Sequence, residues 1–206
     1  RTAGPGSGGS EFRTGPWTFS GPVFDIAVGS NGNLYVPETV FPYPGGTGTR
    51  TTIREVDPSG RGGTRTFSTV ETLPGAPVNG IVMQGSGSAY LAIGARDAAE
   101  AAAVLHVTRG QSRTVGDIEG FEKRVDPDAG QWKNPACEAN PPVYSAGPQS
   151  NPYHLALDGS SLLVADGAGN SLLRVGKDGT IEWLAVLTPP AVGGGASADP
   201  ADWPVL

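Results

Sequence analysis

Apolar residues along the chain occur in short runs, and Gly, Pro, Asn or Asp interrupts them every few positions. Residues 150–187, SNPYHLALDGSSLLVADGAGNSLLRVGKDGTIEWLAVL, show an apolar run followed by a turn three times over. Their turns carry Asp158-Gly159 and Asp178-Gly179, dipeptides that accept the positive φ angles of two-residue hairpin turns. This pattern predicts short antiparallel strands joined by tight turns.

Two earlier segments repeat the pattern. In the first, residues 23–28 alternate, Asn31-Gly32 occupies the turn and residues 34–36 begin the return strand, with TTIREVDPSG and RTFSTVETL as the third and fourth strands. The second, APVNGIVMQGSGSAYLAIG, aligns with GPVFDIAVGSNGNLYVPE and is followed by AVLHVTRG and RTVGDIEGF. The sequence therefore predicts three copies of a four-stranded antiparallel unit.

Repeated four-stranded meanders are typical of a β-propeller, in which each meander is one blade. A meander that is apolar on both faces buries them only by stacking on neighbouring blades around an axis. We therefore predict an all-β fold with about three propeller blades. The predicted parts are an extended arm or linker (1–20), blades at 21–75, 76–121 and 150–190, a long Pro-rich insertion loop (122–149), and a Gly/Ala/Pro-rich tail that can enter a further blade (191–206).

Three blades do not close a ring, since propellers usually have four or more. Three alternatives follow: the sequence is a piece of a longer protein, a second chain supplies the missing blades, or the propeller stays open. The open form is disfavoured, because its two exposed blade faces would aggregate.

Composition and charge exclude several classes of protein. Among 206 residues, 32 Gly and 19 Pro are spaced too closely for an all-α domain. A net charge of −6 without a basic stripe argues against nucleic-acid binding. No apolar run approaches the ~18 residues of a membrane span. Because the chain begins at Arg1, we expect a mature, secreted protein whose signal peptide has been removed. The single Cys137 allows no disulfide within the chain.

Three stretches resemble the ScyD/ScyE-type secreted β-propellers: FDIAVGSNGNLYVPE, NGIVMQGSGSAYLAIG and, most specifically, SNPYHLALDGSSLLVADGAGNSLLRVGKDG. The likeness covers roughly residues 20–190. It implies an exported six-bladed propeller with no established catalytic residues, of which this chain would be about the N-terminal half. The chain departs from the family at Ala165-Asp166-Gly167 and in its long, Cys-bearing loop before Ser150.

Polar residues at the ends of predicted inner strands are the candidates for a ligand site, because these ends converge on a propeller's axis. Carboxylate and amide oxygens there would suit a hard divalent cation such as Ca²⁺, as on the axis of the related sugar-lactonase propellers. The alternative is that these side chains cap turns through their own backbone. The candidates are Glu38, Asn79 and Asp166 for metal, His154 as a general base, and Asp25, Asn151 and Tyr153 for ligand binding.

Two segments of the predicted insertion loop are candidates for binding a partner protein or a metal ion. Trp132 in a Pro-rich loop can anchor a partner protein, or it can fold back to cover a blade. Asp126 and Asp128, in the segment DPD, are expected on an acidic surface loop, with a Ca²⁺ site as the alternative.

Two functions remain open. The first is a secreted, extracellular, non-catalytic module for protein binding or scaffold assembly, which meets another protein, a second copy of itself or a surface polymer and needs no cofactor. The alternative is a metal-dependent hydrolase of the sugar-lactonase type, with Glu38 and Asn79 as ligands and Asp166 or His154 as base. The first is favoured, because none of the motifs G-x-S-x-G, H-E-x-x-H and C-x-x-C occurs.

Overall fold

A computed structural model describes residues 17–41, 48–95, 102–129 and 148–187. Most of the predicted arm, the greater part of the insertion loop with Trp132 and Cys137, and the tail at 191–206 lie outside these residues. The described residues form three four-stranded antiparallel sheets, each with its strands in sequence order. These are propeller blades, and the prediction of an all-β propeller fold is confirmed.

Each blade is a meander of four strands. Blade 1 contains β1 (Ala27–Val28), β2 (Leu34–Val40), β3 (Thr49–Val56) and β4 (Thr64–Thr72). Blade 2 contains β5 (Val78–Gln84), β6 (Ser88–Ile93), β7 (Ala103–Thr108) and β8 (Gln111–Asp117). Blade 3 contains β9 (Pro152–Asp158), β10 (Ser161–Asp166), β11 (Ser171–Gly176) and β12 (Ile181–Val186). Gly32 and Gly159 in the β1–β2 and β9–β10 turns have φ values of 78° and 57°, the left-handed region that these hairpins require.

The core lies between the blades, and strand alternation decides which residues enter which interface. Leu91 of β6 packs with Tyr35 and Ile53 of blade 1. Its neighbour Tyr90 points the other way and packs with Leu162 and other apolar residues of blade 3. Because successive side chains of a strand face opposite sides, blade 2 is buried on both faces.

A helix follows β8 where the sequence analysis predicted a strand through residue 121 and then a loop. Helix α1 spans Ile118–Val125, and the Asp117 side chain accepts the Gly120 N–H at its N-terminus. Ile118 and Phe121, one helical turn apart, are both buried against the second interface. The change from alternate spacing to an i, i+3 spacing of apolar residues is the physical reason for the difference.

Glu55 connects blade 1 to blade 2 at the outer part of the sheets. Its carboxylate is 1% exposed and accepts hydrogen bonds from Arg65 at 2.6 Å and from Asn33 at 2.8 Å. Arg109, in the β7–β8 turn of blade 2, donates to the other oxygen at 3.0 Å. The hydrogen bonds from Arg65, followed by those from Asn33 and Arg109, outweigh burial and hold the pKa of Glu55 well below its ordinary value.

A depressed carboxyl pKa gives a stabilisation that is present above the unfolded-state pKa and is lost as the pH falls. We expect the free energy of unfolding, measured by denaturant titration, to fall from about pH 6 to about pH 3, and to fall less in Glu55→Gln. At neutral pH this variant should be less stable by about 1–3 kcal/mol, because buried hydrogen bonds to a charged group are lost. Glu71→Gln, in an exposed pair with Arg50, is the control and should change little. Identical pH profiles for Glu55→Gln and the unmodified protein would contradict the role of this carboxylate.

Candidate functional site

The innermost strands β1, β5 and β9 lie side by side, with β5 between the other two. Asp25 precedes β1, and its carboxylate accepts the backbone N–H of Ile81 in β5 at 2.9 Å. This predicted binding residue therefore joins blade 1 to blade 2. His154 of β9 approaches the same carboxylate, with 3.7 Å between His154 Nδ1 and Asp25 Oδ2. The His154 side chain is 67% exposed.

Asn79 and Asn151 connect the next pair of blades. The Asn79 side-chain amide, which is buried, donates to Asn151 Oδ1 at 2.9 Å and to the Pro152 carbonyl at 3.0 Å. The structure thus brings together two of the predicted site residues, one from blade 2 and one from blade 3. Their mutual hydrogen bonds orient the start of β9 against β5.

Asp166, at the end of β10, is buried and accepts several hydrogen bonds from the backbone. Its Oδ1 accepts the N–H groups of Asn151 at 2.7 Å, Gly169 at 3.0 Å and Ala168 at 3.1 Å, and its Oδ2 accepts the Ser150 hydroxyl. These contacts hold the chain entering β9 and the β10–β11 loop in one arrangement. They are the backbone capping that the sequence analysis gave as the alternative to metal binding.

Glu38, the remaining predicted metal ligand, contacts β3 and the segment that precedes β1. Its carboxylate accepts the backbone N–H and the hydroxyl of Ser20 on one oxygen and Arg54 Nε at 3.0 Å on the other. Burial alone would raise the pKa of Glu38, but the hydrogen bonds from Ser20 and Arg54 outweigh it and lower the pKa. Glu38 therefore anchors the segment that leads into β1.

Close backbone approach at Gly80 positions Tyr153 and His154. A Cβ atom on Gly80 would lie inside contact distance of the Tyr153 carbonyl oxygen and 3.2 Å from the His154 Cα. The Tyr153 ring in turn covers Gly167, where a Cβ would be 2.9 Å from the ring. Trp132, the remaining candidate, lies outside the described residues.

Sequence reasoning did not place a site on the outward face of blade 1, where the structure has an apolar groove of about 390 Å³. Residues that precede β1 form one wall, and residues of β2 and β3 form the floor. The signal was present in β2, whose apolar residues alternate between the blade 2 interface at Tyr35 and the opposite face at Leu34 and Val36. The groove residues used below are Trp17, Phe19, Phe24, Ile26, Leu34 and Val36.

The outward face of blade 3 is the other end of the described stack. Leu162 and Val164 of β10 face blade 2, so the intervening Leu163 lies on the opposite side, paired with Ala156 of β9. Leu163 is half-buried and Ala156 is exposed. Both ends of the stack of described blades therefore present apolar side chains without a described neighbouring blade.

Neither a protein family model nor a curated protein matches this sequence. Among solved structures, the chain is similar to a protein of unknown function from Bacteroides caccae, at 12% identity and a TM-score of 0.46, with 84% of this chain and 50% of that chain covered. It is also similar to YCF48 bound to D1 peptide, at 12% identity and a TM-score of 0.44, with 80% and 41% covered. The chain thus spans half or less of each. The fold assignment stands on the three antiparallel sheets, and the resemblance to ScyD/ScyE-type propellers stays a prediction.

No helix within the described ranges is long and apolar enough to cross a membrane.

Gly80→Ala tests the close approach of β5 and β9. Because the added methyl group would collide with backbone atoms, we expect a loss of about 1–3 kcal/mol in the free energy of unfolding. Gly87→Ala is the matched control, since a Cβ at Gly87 meets nothing within 4 Å. Equal stability of the two variants in denaturant titrations would show that the two inner strands do not approach in this way.

Proposed function

We propose that this protein is a secreted, non-catalytic binding and assembly module, whose partner is a second copy of the same chain. The observation that carries the proposal is the pair of apolar end faces, the groove on blade 1 and the Leu163 face on blade 3. Extended apolar faces on a folded domain are typical of protein interaction sites. Secretion rests on the ScyD/ScyE resemblance and belongs to the same proposal.

The side chains on the two end faces occupy the same strand positions as the side chains that pack together between neighbouring blades. Tyr35 of blade 1 and Tyr90 of blade 2 occupy equivalent positions, and each points toward the following blade. The equivalent residue of blade 3 is Leu163, which points away from blade 2, at the end of the described stack. Leu34 and Val36 of blade 1 occupy the same strand positions as Leu162 and Val164 of blade 3. Leu162 and Val164 pack against blade 2.

The Leu163 face of one copy can therefore pack on the Leu34 and Val36 face of another, as the blades within one chain do. A head-to-tail contact that closes on itself generates a ring. Two copies with three described blades each would together supply six blades.

The polar residues at the axial end support a structural rather than a catalytic role. Asn79 donates to Asn151 and Pro152, and Asp25 accepts from Ile81. Asp166 accepts three backbone N–H groups and a hydroxyl. These hydrogen bonds join neighbouring blades and loops, which is what assembly of a propeller requires.

The alternative, a metal-dependent hydrolase of the sugar-lactonase type, gains no support from these contacts. It needs oxygen atoms of Glu38, Asn79 and Asp166 around one cation. Glu38 is paired with Arg54, whose positive charge opposes binding of a cation there. Asn79 directs its amide nitrogen to Asn151 and Pro152 in blade 3, and Asp166 caps the backbone.

Sedimentation velocity over a range of protein concentrations tests the proposal. We expect a monomer–dimer equilibrium, and we expect Ile26→Glu to raise the dimer dissociation constant at least about tenfold, which corresponds to about 1.4 kcal/mol. Ile26 is 53% exposed in the groove, so a charge there should leave the blades folded. Leu73→Glu is the matched control, because Leu73 is 50% exposed but lies outside the groove lining.

A folded monomer at about 100 μM, a concentration at which a dimer with a dissociation constant of about 1 μM would be almost fully formed, would overturn self-assembly. Equal weakening by Ile26→Glu and Leu73→Glu would also overturn it, because the association would then not use the groove.

A further inference from the structure

A second group of polar residues lies where α1 ends against the β10–β11 loop. Side-chain oxygens of Glu122, Asp126 and Asp128 all lie within 4.8 Å of one another. Glu122 is on the last turns of α1, and the two aspartates are in the turn that follows. The sequence analysis placed Asp128 on a surface loop, whereas in the structure it is buried.

Glu122 distinguishes this group from an ordinary acidic surface cluster. Its side chain is 0% exposed, and within the part of the chain that the structure describes neither of its carboxylate oxygens has a hydrogen-bond partner. A buried ionised carboxylate without a partner costs several kcal/mol, whereas one that binds a cation does not carry this penalty. The two free oxygens point to a ligand of positive charge.

The local fold holds the three carboxylates together. Asp126 has a left-handed backbone (φ 46°), and its N–H donates to the Glu122 carbonyl at 2.8 Å, which ends the helix. The Ala129 N–H then donates to the Asp126 carbonyl at 3.1 Å and closes a turn. This turn leads the chain back so that Asp128 lies beside Glu122.

The β10–β11 loop closes the other side of the group. The Asn170 side-chain amide donates to Asp128 Oδ2 at 2.9 Å and orients that carboxylate. A Cβ on Gly169 would lie 3.1 Å from Glu122 Oε2, so the loop backbone passes directly against the Glu122 carboxylate. The group is therefore enclosed by α1 and by blade 3.

The surrounding charges are predominantly negative. Burial, and after it the negative charges of Asp166, Asp128, Asp126 and Glu119, raises the pKa of Glu122 to about 8. The nearby Lys123 lies 3.7 Å from Glu119, one turn earlier on α1. A negative potential of this kind favours the binding of a cation.

We propose that Glu122, Asp126 and Asp128 form a binding site for a divalent cation of the Ca²⁺ type. Oxygens on opposite sides of a bound Ca²⁺ are about 4.6 to 5.2 Å apart, so carboxylate oxygens that lie within 4.8 Å of one another can bind the same ion. Ca²⁺ accepts several carboxylate ligands in a flexible geometry, whereas Mg²⁺ usually keeps several waters and takes one or two carboxylates. The three residues offer no nitrogen or sulfur ligand, which argues against zinc and copper.

A cation bound here would fix the end of α1 and the turn that follows it, where Asn170 of the β10–β11 loop donates to Asp128. The site uses residues other than the axial candidates Glu38, Asn79 and Asp166. It is also independent of the apolar end faces. An experiment can therefore contradict cation binding without contradicting self-assembly, and the reverse.

Isothermal titration of the chelator-treated full chain with CaCl₂ tests the proposal. We expect about one ion per chain, with a dissociation constant of about 10⁻³ M or tighter, together with a rise in the melting temperature on addition of Ca²⁺. Glu122→Gln and Asp128→Asn should each weaken binding at least about tenfold, since each removes a charged ligand.

Glu71→Gln and Glu38→Gln are the controls, and both should bind Ca²⁺ as the unmodified protein does. If a variant at Glu122 does not fold, Asp126→Asn provides the same comparison at a partly exposed position. The proposal is overturned if no saturable heat appears up to about 10⁻² M Ca²⁺. It is also overturned if Glu122→Gln and Asp126→Asn bind normally, or if only Glu38→Gln abolishes binding.

Discussion

Each blade of this protein is a thin antiparallel sheet with apolar side chains on both faces, and such a sheet is stable only where both faces are shielded from water. Blade 2 meets this requirement within the chain, because Leu91 packs toward blade 1 and Tyr90 toward blade 3. Among the residues that the structure describes, blades 1 and 3 meet it on one face only. The apolar groove, the Leu163 face and the proposal of a second copy all follow from this constraint.

Several polar side chains connect the stacked sheets. Glu55 joins the outer parts of blades 1 and 2 through Arg109, and Asp25 joins their inner strands through the Ile81 N–H. Asn79 does the same for blades 2 and 3. The Asn170 amide of blade 3 donates to Asp128, one of the proposed ligands, so the proposed cation site lies next to a connection between blades.

The sequence predicts local structure well and contacts between distant segments poorly. The turns at Asn31-Gly32 and Asp158-Gly159 follow from backbone chemistry, and three meanders follow from the turns. Helix α1 was missed because the change from alternate to helical spacing of apolar residues falls within the short segment RTVGDIEGF, which the sequence analysis assigned entirely to a strand. The partnership of Glu38 with Ser20, and that of Asp128 with Asn170, depends on how separate segments fold together, and no local pattern indicates it.

Cross-linking between chains tests the central claim most directly, namely that the blade 3 face of one copy covers the blade 1 face of another. Chains carrying Cys137→Ser with Ile26→Cys, and chains carrying Cys137→Ser with Leu163→Cys, would be mixed and treated with a short bismaleimide. We predict efficient coupling between the two kinds of chain, and little when Leu73→Cys replaces Ile26→Cys. Equal coupling at all three positions, or none between folded chains, would contradict the account.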